Sequence, residues 1–577
     1  MRAFRVWAPV PKKVELQLAG QRLPMTAGDD GWWTAEVFRH EEDSYGFFLD
    51  DAGPFPDPRS AWQPDGIHGL SRAVDHNSFR WTDAGWKAPP LAIAVIYELH
   101  VGTFTPEGTF DGAIAKLDYL AGLGVTHVEI MPVAEFSGAR GWGYDGVDLF
   151  APHQAYGGPE GLKRLVDACH ARGLAVLLDV VYNHLGPTGN YLDKFGPYFS
   201  PRYSVTWGAA INFDGPDSDD VRRFYCDNAL MWLRDYHFDG LRLDAVHAIF
   251  DHSAESFLEQ LGREVGQLAG QLGRPLVLIA ESDLNDPRGL LPAAHGGFGL
   301  DAQWSDDFHH ALHTVLTGEK NGYYEDFGTL ADICHALRDV FVYTGRYSKH
   351  RRRRHGRPPG ILGGERFLGY LQNHDQIGNR AWGERSGHLM SAGRAKIGAA
   401  LVFTAPFIPM LFQGEEWAAS TPFQYFTDHQ EPELGRAVSE GRRREFAAFG
   451  WDPETIPDPQ ARETFERSKL NWSEIEQATH AEMLEWHRQL IRLRQSEPEL
   501  ADGRRDAIQT HYNEAERWLV IERGSITVAV NLSVQPKRVA LRTGTQQLLL
   551  ASGPVDPLIA NEVALPPDTV AIFKLGN

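Results

Sequence analysis

Between about residues 90 and 420, short apolar runs alternate with helix-patterned stretches. The runs are AIAVIYELH, THVEIMPV, LAVLLDVVYN, GLRLDAV, PLVLIAES, GLDAQWSD, FLGYLQNH and FIPMLFQG. Most are nearly continuously apolar, as strands buried on both faces of a parallel sheet must be. The stretches between them, such as PEGLKRLVDACHARG and SDDVRRFYCDNALMWLRDYH, carry a helical repeat. The first of these opens with proline, which suits the first turn of a helix. Eight strand–helix units joined by right-handed crossovers close on themselves, so the pattern predicts an α/β fold, a (β/α)8 TIM barrel. An open doubly wound sheet is the alternative, but no G-x-G-x-x-G follows the first run.

The chain of 577 residues has room for more than a barrel. Residues 1–88 hold AFRVWAP, KVELQL, WWTAEVF and SYGFFLD, short runs broken by Pro, Gly and Asp. They predict a small antiparallel N-terminal β-sandwich, which resembles modules of the carbohydrate-binding-like type. Trp32 and Trp33 are adjacent, so in a strand they face opposite ways. One is expected in the core, and the other against the barrel or a sugar. Residues 89–495 take the catalytic barrel with its insertions, ending in the amphipathic HAEMLEWHRQLIRLRQ. Residues 496–577, with WLVIERGSITVAVNLS, KRVALRT, QQLLLAS and TVAIFKL, predict a C-terminal antiparallel β domain.

Charge excludes some functions. A formal net charge of −21 repels nucleic acid and anionic membranes, so neither is expected as a partner. Neutral sugars are unaffected. Cys169, Cys226 and Cys334 form no C-x-x-C pair and read as buried thiols rather than disulfides or zinc ligands. MRAFRVWAPV has no apolar core of a signal peptide, and no run of ~18 apolar residues could span a membrane. A cytoplasmic enzyme is expected. The basic run KHRRRRHGRPP (349–359) reads as a solvated loop.

Barrel active sites form at the C-terminal ends of the strands. Carboxylates occur there in DVVYNH (179–184), GLRLDAVH (240–247), LIAES (278–282) and LQNHDQ (371–376). Glycosidic cleavage needs two, one to protonate the leaving oxygen and one to attack the anomeric carbon. Asp244 and Glu281 end adjacent strand candidates, and strands lie ~4.8 Å apart. That spacing allows the close carboxyl separation of a retaining mechanism. Arg242 precedes Asp244 by two residues and so shares its face, where a guanidinium would orient the carboxylate and keep it ionised. His184, His374 and Asp375 end two further strands and suit sugar hydroxyls. There is no H-E-x-x-H metal motif and no G-x-S-x-G elbow.

These four segments, in this order, resemble the motif regions of the α-amylase superfamily, family 13 of the glycoside hydrolases. The resemblance implies Asp244 as nucleophile, Glu281 as acid/base and Asp375 as a third catalytic carboxylate gripping the distorted sugar. It implies contacts with the same sugar from Arg242, His184 and His374, and makes Tyr144, in GWGYD, its stacking platform. No cofactor or metal is implied, although some members hold calcium near Asn183. The segments 97–110, 131–170, 373–385 and 421–446 are similar to the trehalohydrolase branch of the superfamily. That branch hydrolyses the α-1,4 bond next to the terminal trehalose of maltooligosyltrehalose, releasing trehalose and a maltooligosaccharide. Its substrate comes from a partner, maltooligosyltrehalose synthase. The Lys-His pair common after the nucleophile is replaced by Val246-His247-Ala248. His247 and Trp207 are therefore expected on the leaving-group side, and Glu416, in GEEW, either binds sugar or braces its loop. A glucan branching enzyme and a non-catalytic glucan-binding barrel remain as alternatives.

Overall fold

The computed structural model describes residues 2–38, 43–447 and 451–576. Eight parallel strands close into a barrel in sequence order: β1 (Ile96–Leu99), β2 (His127–Ile130), β3 (Ala175–Val180), β4 (Gly240–Leu243), β5 (Val277–Ala280), β6 (Ala302–Trp304), β7 (Phe367–Gly369) and β8 (Ile408–Phe412). Each falls inside one of the eight apolar runs. The helical stretches also form, among them Gly158–His170, Ser218–Asp235 and Ala478–Ser496.

The barrel interior is layered. Its lower part is apolar, with Ile96, Leu177, Ile279, Trp304, Leu368 and Met410 in one buried cluster. Two residues further along the same faces stand Glu98, Asp179 and Glu281, because strand side chains repeat with period two. Polar groups therefore gather at the strands' C-terminal ends above an apolar floor.

The first strands form two antiparallel sheets. One pairs Arg2–Trp7 with Trp32–Val37, and the other centres on Val14–Leu18 and Ser44–Leu49. Trp32 turns to the barrel, donating its indole N–H to Asp220 at 3.0 Å on the helix Ser218–Asp235. Trp33 bonds the Ala8 carbonyl within its own sheet. A linker then passes under the barrel, where Asp83 accepts from both His170 and His237. The last strands form a five-stranded antiparallel sheet and a two-stranded one. Arg523 ties the larger sheet to the barrel through the carbonyls of Thr404 and Ala405. Cys169, Cys226 and Cys334 are free and buried.

Candidate active site

The main-chain ladder between β4 and β5 continues beyond the strands. Glu281 N–H donates to the Leu243 carbonyl and Val246 N–H to the Glu281 carbonyl, both at 3.0 Å. Asp244 and Glu281 are thus held level on neighbouring strand ends. Directly after Asp244 the chain turns through a left-handed residue, Ala245, at φ 39° and ψ 52°. This turn aims the Ala245 N–H at Glu281 Oε2, 2.7 Å away.

Arg242 is fully buried beneath the pair. Its Nη1 donates to Asp244 Oδ1 at 2.8 Å and to Asp179 at 2.8 and 2.9 Å. Its Nη2 forms an ion pair with Glu281 Oε2 at 2.9 Å. The guanidinium lies 4.3 Å from the Trp304 ring centre, which fixes its plane. One cation therefore braces three carboxylates. Burial raises the Asp179 carboxyl to about 7, against the opposing charge of Arg242.

Asn183 holds the other side of Asp244. Its Nδ2 donates to Asp244 Oδ2 at 2.7 Å and to the Asp244 carbonyl at 2.9 Å. Its Oδ1 faces His184 Nδ1, so both ends of the amide are spent within the site. The second ring nitrogen of His184 lies 2.8 Å from the Tyr144 carbonyl. Burial lowers the His184 pKa below its ordinary value, with the Asp244 charge opposing, so the ring favours its neutral form. The Tyr144 ring stacks on His374 at 5.1 Å, and its hydroxyl bonds Asp179 at 2.5 Å. Asp375 accepts from Asn379 Nδ2 at 3.2 Å and keeps a partly exposed carboxylate.

These groups open on a cavity of about 710 Å³. Tyr144, His184, Trp207, Asp244, His247, Glu281, His374 and Asp375 all line it, and Arg242 stands beneath them. Trp207 is half exposed and stacks on His184 at 4.5 Å and 15°. His247 sits on the short helix Val246–Ala248, its Nδ1 4.0 Å from Asp283 Oδ1. Glu416 does not reach the cavity. It is fully buried, and the hydroxyls of Tyr97 and Tyr119 bond it at 3.0 and 2.9 Å, so it braces the loop after β8.

Several cavity and supporting residues escape the motif reading. Asp179 is the strand-end carboxylate of DVVYNH, to which the motif reading gave no role. Leu434, Val438 and Arg442 repeat every four residues along the helix Pro432–Ala447 and wall one side of the cavity. The basic run is only partly solvated. Arg351 pairs with Asp283 at 3.0 Å and His355 bonds the Asp283 carbonyl at 2.7 Å, which draws this hairpin to the rim beside Glu281. A charge run read alone carries no sign of a distant carboxylate partner.

A barrel with an Arg-braced carboxylate pair at its strand ends is the architecture of a glycoside hydrolase, and sequence comparison narrows the class. The family described as alpha amylase, catalytic domain, matches residues 72–202, and a domain of unknown function (DUF3459) matches residues 503–572. A crystal structure of a Salmonella typhimurium protein described as an alpha amylase superposes with TM-score 0.91 at 39% identity, covering 99% of this chain and 97% of that one. Apo pullulanase from Paenibacillus barengoltzii, at 20% identity and TM-score 0.73, covering 100% of this chain and 93% of that chain, shares the fold.

Closer likeness lies with curated relatives. Malto-oligosyltrehalose trehalohydrolase of Mycobacterium tuberculosis is 51% identical over 93% of each chain. That of Rhizobium sp. is 49% identical over 99% of this chain and 97% of its own. The chain belongs to the malto-oligosyltrehalose trehalohydrolase family, within the α-amylase family of glycoside hydrolases.

Proposed function

We propose that the protein hydrolyses the α-1,4-glucosidic bond next to the terminal trehalose of maltooligosyltrehalose, releasing trehalose and a maltooligosaccharide. The substrate rests on identity of about half the residues, over most of the chain, with relatives of that name. The observation that carries the chemistry is the pair Asp244 and Glu281, from adjacent strand ends, braced by one buried guanidinium at a cavity wall.

In this reading Glu281 gives its proton to the glycosidic oxygen while Asp244 attacks the anomeric carbon, and trehalose leaves. Water then attacks the glycosyl–Asp244 ester, with Glu281 taking the water's proton. This restores both carboxyls with net retention. Asp375 holds hydroxyls of the sugar being cleaved, with Tyr144 and His374 against its ring and His184 beside it. Trp207 and His247 line the trehalose side. The oligosaccharide substrate would come from a maltooligosyltrehalose synthase in the same cytoplasmic compartment. Among the described residues, no helix is long and apolar enough to cross a membrane.

The test is product analysis on maltotriosyltrehalose beside maltopentaose and amylose. Trehalose plus maltotriose from the first, with little attack on the others, is the expected result. New α-1,6 branches in amylose without trehalose release would make the protein a branching enzyme instead.

A further inference from the structure

Beneath the sugar-facing groups lies a buried acid that the reaction does not use directly. Glu98, on β1, is 1% exposed and belongs to no motif quoted for the site. Its two oxygens meet one residue. Oε2 accepts the main-chain N–H of His374 at 3.1 Å, and Oε1 lies against His374 Nδ1 in a short contact. From His374 the bonds continue in one direction. Nε2 lies 2.8 Å from the Tyr144 hydroxyl, whose own hydrogen goes to Asp179. With that hydrogen on Asp179, the Tyr144 oxygen accepts from His374, and both ring nitrogens of His374 then carry hydrogen. Asp179 in turn accepts from Arg242, which also holds Asp244. An unbroken chain runs from Glu98 to the nucleophile.

The geometry points to Glu98 as a positioning residue for the reaction, which keeps the His374 ring fixed and doubly protonated beneath the sugar, its carboxylate accepting both the main-chain N–H and the ring Nδ1–H of His374. This assignment rests on the sugar-binding role given to His374 above.

Every element around the ring bears on this. From β2, Glu129 stands opposite Glu98 in register, buried, with neither oxygen hydrogen-bonded among the described residues. Burial and then the Glu98 charge raise the Glu129 carboxyl well above its usual range, which favours its protonated form. Arg242 on β4 adds positive charge nearby, His100 after β1 is held neutral by burial, and Asp375 adds negative charge 3.6 Å from Nε2. Trp142 and Trp304 close the ring's remaining sides. Burial alone would lower the His374 pKa; the charge of Glu98, followed by that of Asp375, outweighs it and holds the group at about 9.

The test is nitrogen NMR of the full-length protein labelled in its histidine rings, with the His374 signal assigned by its loss in His374→Asn. Wild type should show both His374 ring nitrogens protonated at about pH 7, where an ordinary histidine is largely neutral. In Glu98→Gln the ring should lose its second proton about one to three pH units lower than in wild type. Its kcat should fall about 100-fold, with a smaller change in KM, as for loss of positioning. Glu98→Asp keeps the charge and should hold the titration closer to that of wild type. A neutral His374 ring in wild type at about pH 7, or an unshifted titration in Glu98→Gln, would overturn the assignment. The wild-type spectrum decides it even where Glu98→Gln fails to fold. No substrate enters the NMR measurement, so a failure to release trehalose would count against the functional reading alone.

Discussion

Replacing Arg242 by lysine keeps the charge but removes the fork. The guanidinium spans Asp179, Asp244 and Glu281 with Nη1 and Nη2. A lysine ammonium is a single point on a stem, and it cannot reach all three acceptors at these distances. Losing one or two charge-assisted hydrogen bonds costs about 1.5–3 kcal/mol each. The total of about 1.5–6 kcal/mol is divided between folding and catalysis. Stability should fall by part of this, read as a lower denaturant midpoint. The larger effect should be on rate, because Asp244 loses the donor that aims it. Misplacement of a reacting group costs about 100-fold, so kcat should fall by at least that factor while KM moves little. The acid limb of the pH–rate profile should also move up. Burial already raises Asp179 to about 7 against Arg242, and a more distant cation opposes burial less. Steady-state kinetics from acid to alkaline pH, with a denaturation curve on the same protein, checks all three. A variant with kcat within twofold of wild type and an unmoved acid limb would refute the claim that this fork sets the geometry of Asp244.

Asn183→Ala removes the 2.7 Å bond to Asp244 Oδ2; a bond to a charged group is worth about 1.5–3 kcal/mol, so kcat should drop about 10- to 150-fold in single-turnover assays with binding nearly unchanged. Trp207→Ala loses a ring stacked on His184; an aromatic contact of about 0.5–1.5 kcal/mol predicts a roughly 2- to 13-fold rise in KM for maltotriosyltrehalose, and equal KM values would remove Trp207 from the leaving-group side. Burial lowers His100 and His310 to about 3, and His127 and His487 to about 4. The unfolded chain therefore takes up protons near pH 6.5 that the fold refuses, and each group costs up to about 1.4 kcal/mol of stability per pH unit below that point. Raised carboxyls such as Asp179 act the other way, so the histidine share is read by difference: the denaturation midpoint of His487→Gln should gain on that of wild type as pH falls from about 6.5 to about 5, and a constant difference would contradict this.

The barrel was legible because its strands are buried on both faces and each helix between them carries its own periodicity. Asp244, Glu281 and Asp375 were legible because a charge at the end of an apolar strand has no packing reason to be there. Glu98 and Glu129 were not singled out, and Asp179 was read only as a carboxylate at a strand end, with no role. Each lies within or at the head of an apolar run; Glu98 and Asp179 find their partners, His374 and Arg242, on strands far along the chain, and Glu129 has no hydrogen-bond partner among the described residues. The wall formed by Leu434, Val438 and Arg442 was hidden for a different reason. Its repeat is that of any amphipathic helix, and only the tertiary fold turns that face toward the cavity. Glu416 left two readings open, sugar binding or bracing of its loop, and two tyrosine hydroxyls from other elements decide for the brace.

The central claim is that Asp244 carries the sugar covalently while Glu281 moves the proton. Glu281→Gln treated with a maltooligosyl fluoride tests both at once. Fluoride leaves without an acid, so the ester should form, and without a base to activate water it should persist. Peptide mass spectrometry should then find the glycosyl group on Asp244, with hydrolysis of maltotriosyltrehalose abolished. An adduct on another carboxylate, or near-normal turnover of maltotriosyltrehalose by Glu281→Gln, would contradict the account.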